Sequence, residues 1–106
     1  MEETTAPMTL RLLTPTGISA EVGCDSIRLT LRDDAEGRGG GAVGILRDHA
    51  PAVMALGKGA IRASLAGEVV FRAKADDGFA SVRDNVITVI TDSAVVESWK
   101  NGEEKE

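Results

Sequence analysis

His49 is the only histidine among the 106 residues, and it directly follows Asp48. A histidine next to a carboxylate can serve as a general base. Neighbouring side chains on an extended chain point to opposite sides, however, and no serine or cysteine lies in a nucleophile-elbow pattern. A loop histidine bonded to backbone is therefore the better reading. One histidine and one cysteine, Cys24, cannot build a zinc site. Asp33, Asp34 and Glu36 lack the ligand spacing of a calcium loop and read as a solvated acidic loop. The glycines from Gly37 to Gly44 resemble a phosphate cradle only in composition. Such a loop ends in Gly-Lys-Ser/Thr and opens a helix, whereas Gly44 leads into Ile45-Leu46-Arg47. Cys24 reads as a small core residue with no partner for an intrachain disulfide. Trp99, isolated in a charged segment, either docks on a partner or folds back on its own domain. The residues themselves predict no catalytic, cofactor or metal site.

The elements that would carry these residues are short runs separated by turn signals every eight to twelve residues, the habit of all-β sandwiches and barrels. Met8 to Thr14 ends at Thr14-Pro15-Thr16-Gly17. Ile18 to Cys24 is a weaker run. In Ser26 to Arg32, Ile27, Leu29 and Leu31 alternate with Arg28, Thr30 and Arg32, which gives one apolar and one wet face. Ala42 to Leu46 and Val53 to Leu56 follow, then Ala60 to Leu65, and Ala66-Gly67 signals a hairpin into Glu68 to Ala75. Phe79 to Arg83 and Val86 to Thr91 are joined by Asp84-Asn85. The β-branched run Val86 to Thr91 predicts a strand buried on both faces. Eight to ten strands and no long helix are expected. The chain divides into a flexible N-terminus at 1–7, a sandwich at 8–96 and a charged tail at 97–106.

The length fits one domain, and 42% apolar residues supply one core. The net charge is −5, and it sits at the ends: Glu2 and Glu3, then Glu97, Glu103, Glu104 and Glu106 against Lys100 and Lys105, leave the body close to neutral. No strongly basic balance points to nucleic acid, and three aromatic residues give few stacking platforms. The first residues are acidic and contain no signal-peptide pattern, and no run approaches a membrane span. A single cysteine suits a reducing compartment. The expectation is a soluble, intracellular domain.

Six blocks, in order, resemble the epsilon subunit of the F-type rotary ATP synthase, in its N-terminal β-sandwich domain. They are Leu10 to Gly17, Cys24 to Ile27, Gly44 to Pro51, Ala55 to Gly59, Gly78 to Val82, and Asp84 to Val89 continued by Thr91 to Ala94. The resemblance implies a sandwich of two five-stranded sheets. It also implies a non-catalytic place in the central stalk, against the gamma subunit and the c-ring, where proton- or sodium-driven rotation passes to the catalytic head. Such a subunit works at the cytoplasmic face of the cell membrane as a peripheral part of the complex, without inserting into the bilayer. By the same resemblance Gly41, Ala42, Val43, Gly44 and His49 are c-ring contact candidates.

Departures from the family pattern qualify these expectations. The loop from Arg32 to Gly41 is longer and richer in glycine than usual, Ala42 stands where an acidic residue is common, and Arg47-Asp48 replaces Pro-Gly. Asp77 takes the place of the first of two glycines. Typical bacterial members continue into two helices that restrain hydrolysis and in some cases bind ATP. No such hairpin follows in this sequence, so neither a helical brake nor ATP binding is expected, and no cofactor. A rotor subunit should expose an apolar patch when free. The competing reading, a stand-alone sandwich binding a peptide or small ligand, calls instead for a concave pocket with convergent polar groups.

Overall fold

A computed structural model describes residues 6–33 and 40–100, with the side chains of residues 18 and 19 excepted. It contains ten strands: β1 (Met8–Thr14), β2 (Gly17–Cys24), β3 (Ser26–Thr30), β4 (Ala42–Leu46), β5 (Ala52–Leu56), β6 (Gly59–Leu65), β7 (Glu68–Ala75), β8 (Gly78–Arg83), β9 (Val86–Thr91) and β10 (Ala94–Trp99). They form two five-stranded sheets, ordered β2-β1-β9-β8-β5 and β10-β7-β6-β3-β4. The all-β sandwich expected from the sequence is thus observed. Neighbours run antiparallel except β1 and β9, which pair in parallel with Leu10 beside Ile87 and Leu12 beside Val89.

Period-two alternation drives this arrangement. Met8, Leu10 and Leu12 of β1, Ile87 and Val89 of β9, and Ala80 and Val82 of β8 turn inward from the first sheet. Ile27, Leu29, Ile45, Ile61, Ala63, Phe71 and Ala73 meet them from the second. Phe71 is fully buried, and Trp99 packs edge-on against it, with centroids 6.2 Å apart at 88°. Of the two readings of Trp99, the fold-back on its own sandwich is the one observed.

Two hairpins have the turn chemistry their sequences announce. Ala66 and Gly67 sit at φ 54° and 81°, and Asp84 and Asn85 at 53° and 65°. Positive φ at both central residues is the type I′ pattern, whose twist matches that of the flanking strands. The buried Thr91 hydroxyl lies within 3.0 Å of Asp76 O, 3.2 Å of Asp77 O and 3.1 Å of Ser93 O, so one side chain anchors two neighbouring turns.

Two sequence expectations change, and β7 departs from simple alternation. β9 is buried on one face only: Ile87, Val89 and Thr91 are inward, while Val86 and Ile90 are 37% and 53% exposed. A sandwich covers each sheet on one side, so a β-branched run does not require two buried faces. In β7, Phe71 pairs with Ala63 and Val69 with Ser64, which leaves Val70 as a bulged extra residue; Val70 and Phe71 are buried in succession and strict alternation fails. The last strand continues three residues past Val96, through Trp99, because the β10–β7 ladder resumes beyond a bulge at Glu97.

Candidate functional site

The chemistry-bearing residues come first. His49 is half-buried in the connection between β4 and β5. Its Nδ1 lies 2.7 Å from the carbonyl oxygen of Ala50. A carbonyl only accepts, so Nδ1 carries the proton. Asp48 does not orient the ring. It sits at φ 65°, its N–H donates to Asn85 Oδ1 at 2.7 Å, and Asn85 Nδ2 donates to Asp48 Oδ1 at 3.3 Å. This exchange ties the β4–β5 connection to the β8–β9 turn. It is a structural clamp between the crossing chain and the first sheet, with no acid–base couple in it. Burial, and secondarily the charge of Asp25, push the Cys24 thiol up from 9.0 to about 11. A thiol so placed stays protonated and unreactive near neutral pH. Among the described residues no three His, Cys, Asp or Glu side chains gather to hold a metal ion. Asp34 and Glu36 lie outside the described residues.

Ala42, Val43 and Gly44 open β4, an edge strand of the second sheet, and Gly41 immediately precedes it. Gly41 stands at φ 83°, and its carbonyl accepts from Leu31 N at 2.8 Å, which fixes the entry to the strand. Val43 turns partly inward, while Ala42 and Gly44 face out. His49 lies past the opposite end of the strand. At ~3.4 Å per residue, β4 separates it from Gly41 by more than ~15 Å. The structure groups the first four candidates on one edge and leaves the fifth at the other end of it.

Sequence reasoning missed an apolar surface on the outside of the first sheet. Register places Ala55, Phe79, Ile90 and Leu13 side by side across β5, β8, β9 and β1. Phe79 is 51% exposed, Ile90 53% and Val53 76%, and Val86 adds to the same face. The Arg32 guanidinium lies 5.4 Å from the centroid of the Phe79 ring and within 3.5 Å of Gly78 O, so the aromatic is held in place and not free to collapse. An exposed apolar patch with aromatic and β-branched members marks a protein contact more often than an accident of packing. The signal is present in the β-branched run Val86 to Thr91, whose second apolar face points outward and is not covered by the other sheet.

Comparison with known proteins agrees with this architecture. The family described as ATP synthase, Delta/Epsilon chain, beta-sandwich domain, matches residues 7–97. Among solved structures, a chain of the Euglena gracilis mitochondrial ATP synthase OSCP/F1/c-ring assembly is similar with a TM-score of 0.67 and 24% identity, over 90% of this chain and 56% of that one. A chain of the Tetrahymena thermophila mitochondrial ATP synthase central stalk and c-ring is similar with a TM-score of 0.62 and 15% identity, over 87% and 68% respectively. The sequence therefore spans just over half the length of the first of these. At such identities these two structures speak for the fold alone. No curated protein matches. The family match takes in nearly every described strand, and the chain belongs to the ATP synthase delta/epsilon beta-sandwich family.

Proposed function

We propose that this domain is a non-catalytic central-stalk subunit of an F-type ATP synthase, joining the gamma subunit to the c-ring so that ion-driven rotation reaches the catalytic head. The observation that carries the reading is the uncovered apolar face of the first sheet, on which Val53, Phe79, Val86 and Ile90 form the gamma-docking surface. Torque transfer needs a stiff body and a complementary contact, and a close-packed core fed by both sheets supplies the first. The edge of β4, at Gly41, Ala42, Val43 and Gly44, meets the ring, with His49 contributing beyond the far end of that strand. Ala42 and Gly44 carry no bulk there, which suits close approach to a polar loop. No helix among the described residues is long and apolar enough to cross a membrane. Membership of the complex then holds the domain peripherally, on the cytoplasmic face of the cell membrane.

Capture by tagged gamma tests this. The full chain should co-purify with gamma, and F79E and I90E should each reduce capture at least about tenfold, as truncation or charge at a buried aromatic or aliphatic anchor does. Circular dichroism of both variants should match the parent, because these side chains face solvent. Equal capture of parent and variants would remove the first sheet as the docking face.

A further inference from the structure

The outer face of the second sheet has the opposite character. Arg28 of β3 stands directly across from Arg62 of β6, and Arg62 directly across from Arg72 of β7. Lys74 lies two residues along β7, opposite Ala60. Three guanidinium groups therefore share one row, about 10 Å long between the outer Cα atoms. None of these four side chains has an ion pair or hydrogen bond among the described residues, although five ion pairs form elsewhere. Like charges directly opposite one another on adjacent strands destabilise a sheet. A chain with a net charge of −5 has carboxylates to spare for neutralising such a row. Yet among the described residues Glu97, at the β10 bulge, is the one carboxylate lining the cleft beside it.

The row's surroundings leave it open. Its two ends are Gly44 on β4 and Ser98 on β10, residues too small to cover a guanidinium. Arg28, Arg62, Arg72, Lys74 and Glu97 line a shallow cleft of about 360 Å³ floored by small residues such as Ala60 and Ala42. That volume is at the small end of the roughly 300–1,000 Å³ usual for ligand sites. No aromatic side chain lines it, so it offers no aromatic platform for a base.

We infer that this face is a binding site for an oligophosphate anion, held by Arg28, Arg62, Arg72 and Lys74. Guanidinium groups bind phosphate oxygens in bidentate pairs, and a lysine adds a point charge. Among the described residues, four cations against one carboxylate leave more positive charge than one carboxylate ligand could neutralise, and a di- or triphosphate carries enough. The ligand is read by its phosphates alone, whether it is inorganic or the tail of a nucleotide. The site lies on the sandwich itself, so the expectation that no ATP binding accompanies a chain without the helical hairpin does not bear on it. It is also independent of gamma docking, which uses the other sheet.

Isothermal titration of the full chain with sodium tripolyphosphate at low salt should give saturable one-site binding. R62Q/R72Q should weaken it at least about tenfold, while R47Q/R83Q, which removes the same charge elsewhere, should leave it within about twofold. The thermal midpoint of R62Q/R72Q should equal or exceed the parent's, since a repulsive row is relieved. Should that double variant fail to fold, R28Q at the row's end gives the same reading with a loss of about threefold. ATP and GTP binding as tightly as tripolyphosphate would identify nucleotide tails as the source. Binding of tripolyphosphate without the nucleotides would identify an inorganic source. Equal affinity in R62Q/R72Q and R47Q/R83Q would overturn the proposal, as would binding of adenosine. Hexaglutamate binding more tightly than tripolyphosphate would also overturn it, in favour of an acidic polypeptide.

Discussion

Trp99 shows how much one side chain contributes here. Its ring closes the core against Phe71, and its indole N–H is buried without an acceptor among the described residues. A buried donor without a partner costs about 1–3 kcal/mol. Replacing the ring and removing the donor should thus separate two effects. W99A should lose about 3 kcal/mol through the vacated space. W99F, which keeps a ring and discards the donor, should stay within about 1 kcal/mol of the parent, and urea denaturation measures both. Cys24 gives a pH signature. Its thiol titrates higher in the folded protein than in the unfolded chain. The folded state therefore holds its proton more tightly, so this contribution is intact below pH 9.0 and is lost as pH rises toward about 11. Iodoacetamide at pH 8 should leave Cys24 unmodified in native protein and label it after unfolding. C24A, monitored by thermal melts from pH 8 to 11, should show a shallower alkaline decline. At the acidic end, Lys100 holds the exposed Glu68 carboxyl below its ordinary 4.5. That pair weakens as pH falls through the carboxylate range.

Strands and hairpins were the most legible elements, for reasons visible in individual residues. Ile27 and Leu29 against Arg28 and Thr30 state their faces outright, and Ala66-Gly67 and Asp84-Asn85 turn where positive φ is tolerated. What escaped was whatever depends on a partner strand. The Val70 bulge exists because β6 holds Ala63 against Phe71 and Ser64 against Val69, a register no local window reveals. β10 alternates poorly since it is an edge strand, exposed along most of its length. Ala42 to Leu46 is a strand as its apolar run suggested, but that it lies at a sheet edge, like the apolar and cationic outer faces, emerged only when register aligned residues far apart in sequence. Gly78 illustrates the same dependence. A Cβ there would lie 2.1 Å from Ile90 O, so β8 approaches β9 at a distance only glycine permits. G78A should destabilise by about 2 kcal/mol, in the range of overpacked sites, with chemical denaturation as the check. An unchanged midpoint would mean that the β8–β9 pair can spread without cost.

Across the whole molecule, the two sheets share one core and present unlike exteriors. The first offers Phe79, Ile90 and Val53, and the second offers Arg28, Arg62, Arg72 and Lys74. The division is one of emphasis, since exposed Val95 lies opposite Lys74 on the second sheet and Arg11 and Arg83 lie on the outside of the first. The parallel pairing of β1 with β9 also binds the extremes of the fold to each other. Ending the chain at Arg83 should thus abolish structure and not merely weaken it, seen as loss of the β-type circular dichroism signal and rapid proteolysis. A folded product would show that β9 is dispensable.

That same pairing sets a schedule during biosynthesis. Of the ten strands β1 leaves the ribosome first, and each of its residues waits for a β9 partner 77 positions later, as Leu10 does for Ile87. At about 5–20 residues per second, the wait is on the order of 4–15 s. Through that interval Met8 to Leu13 can pair only with β2, and its other edge stays open until β9 is made.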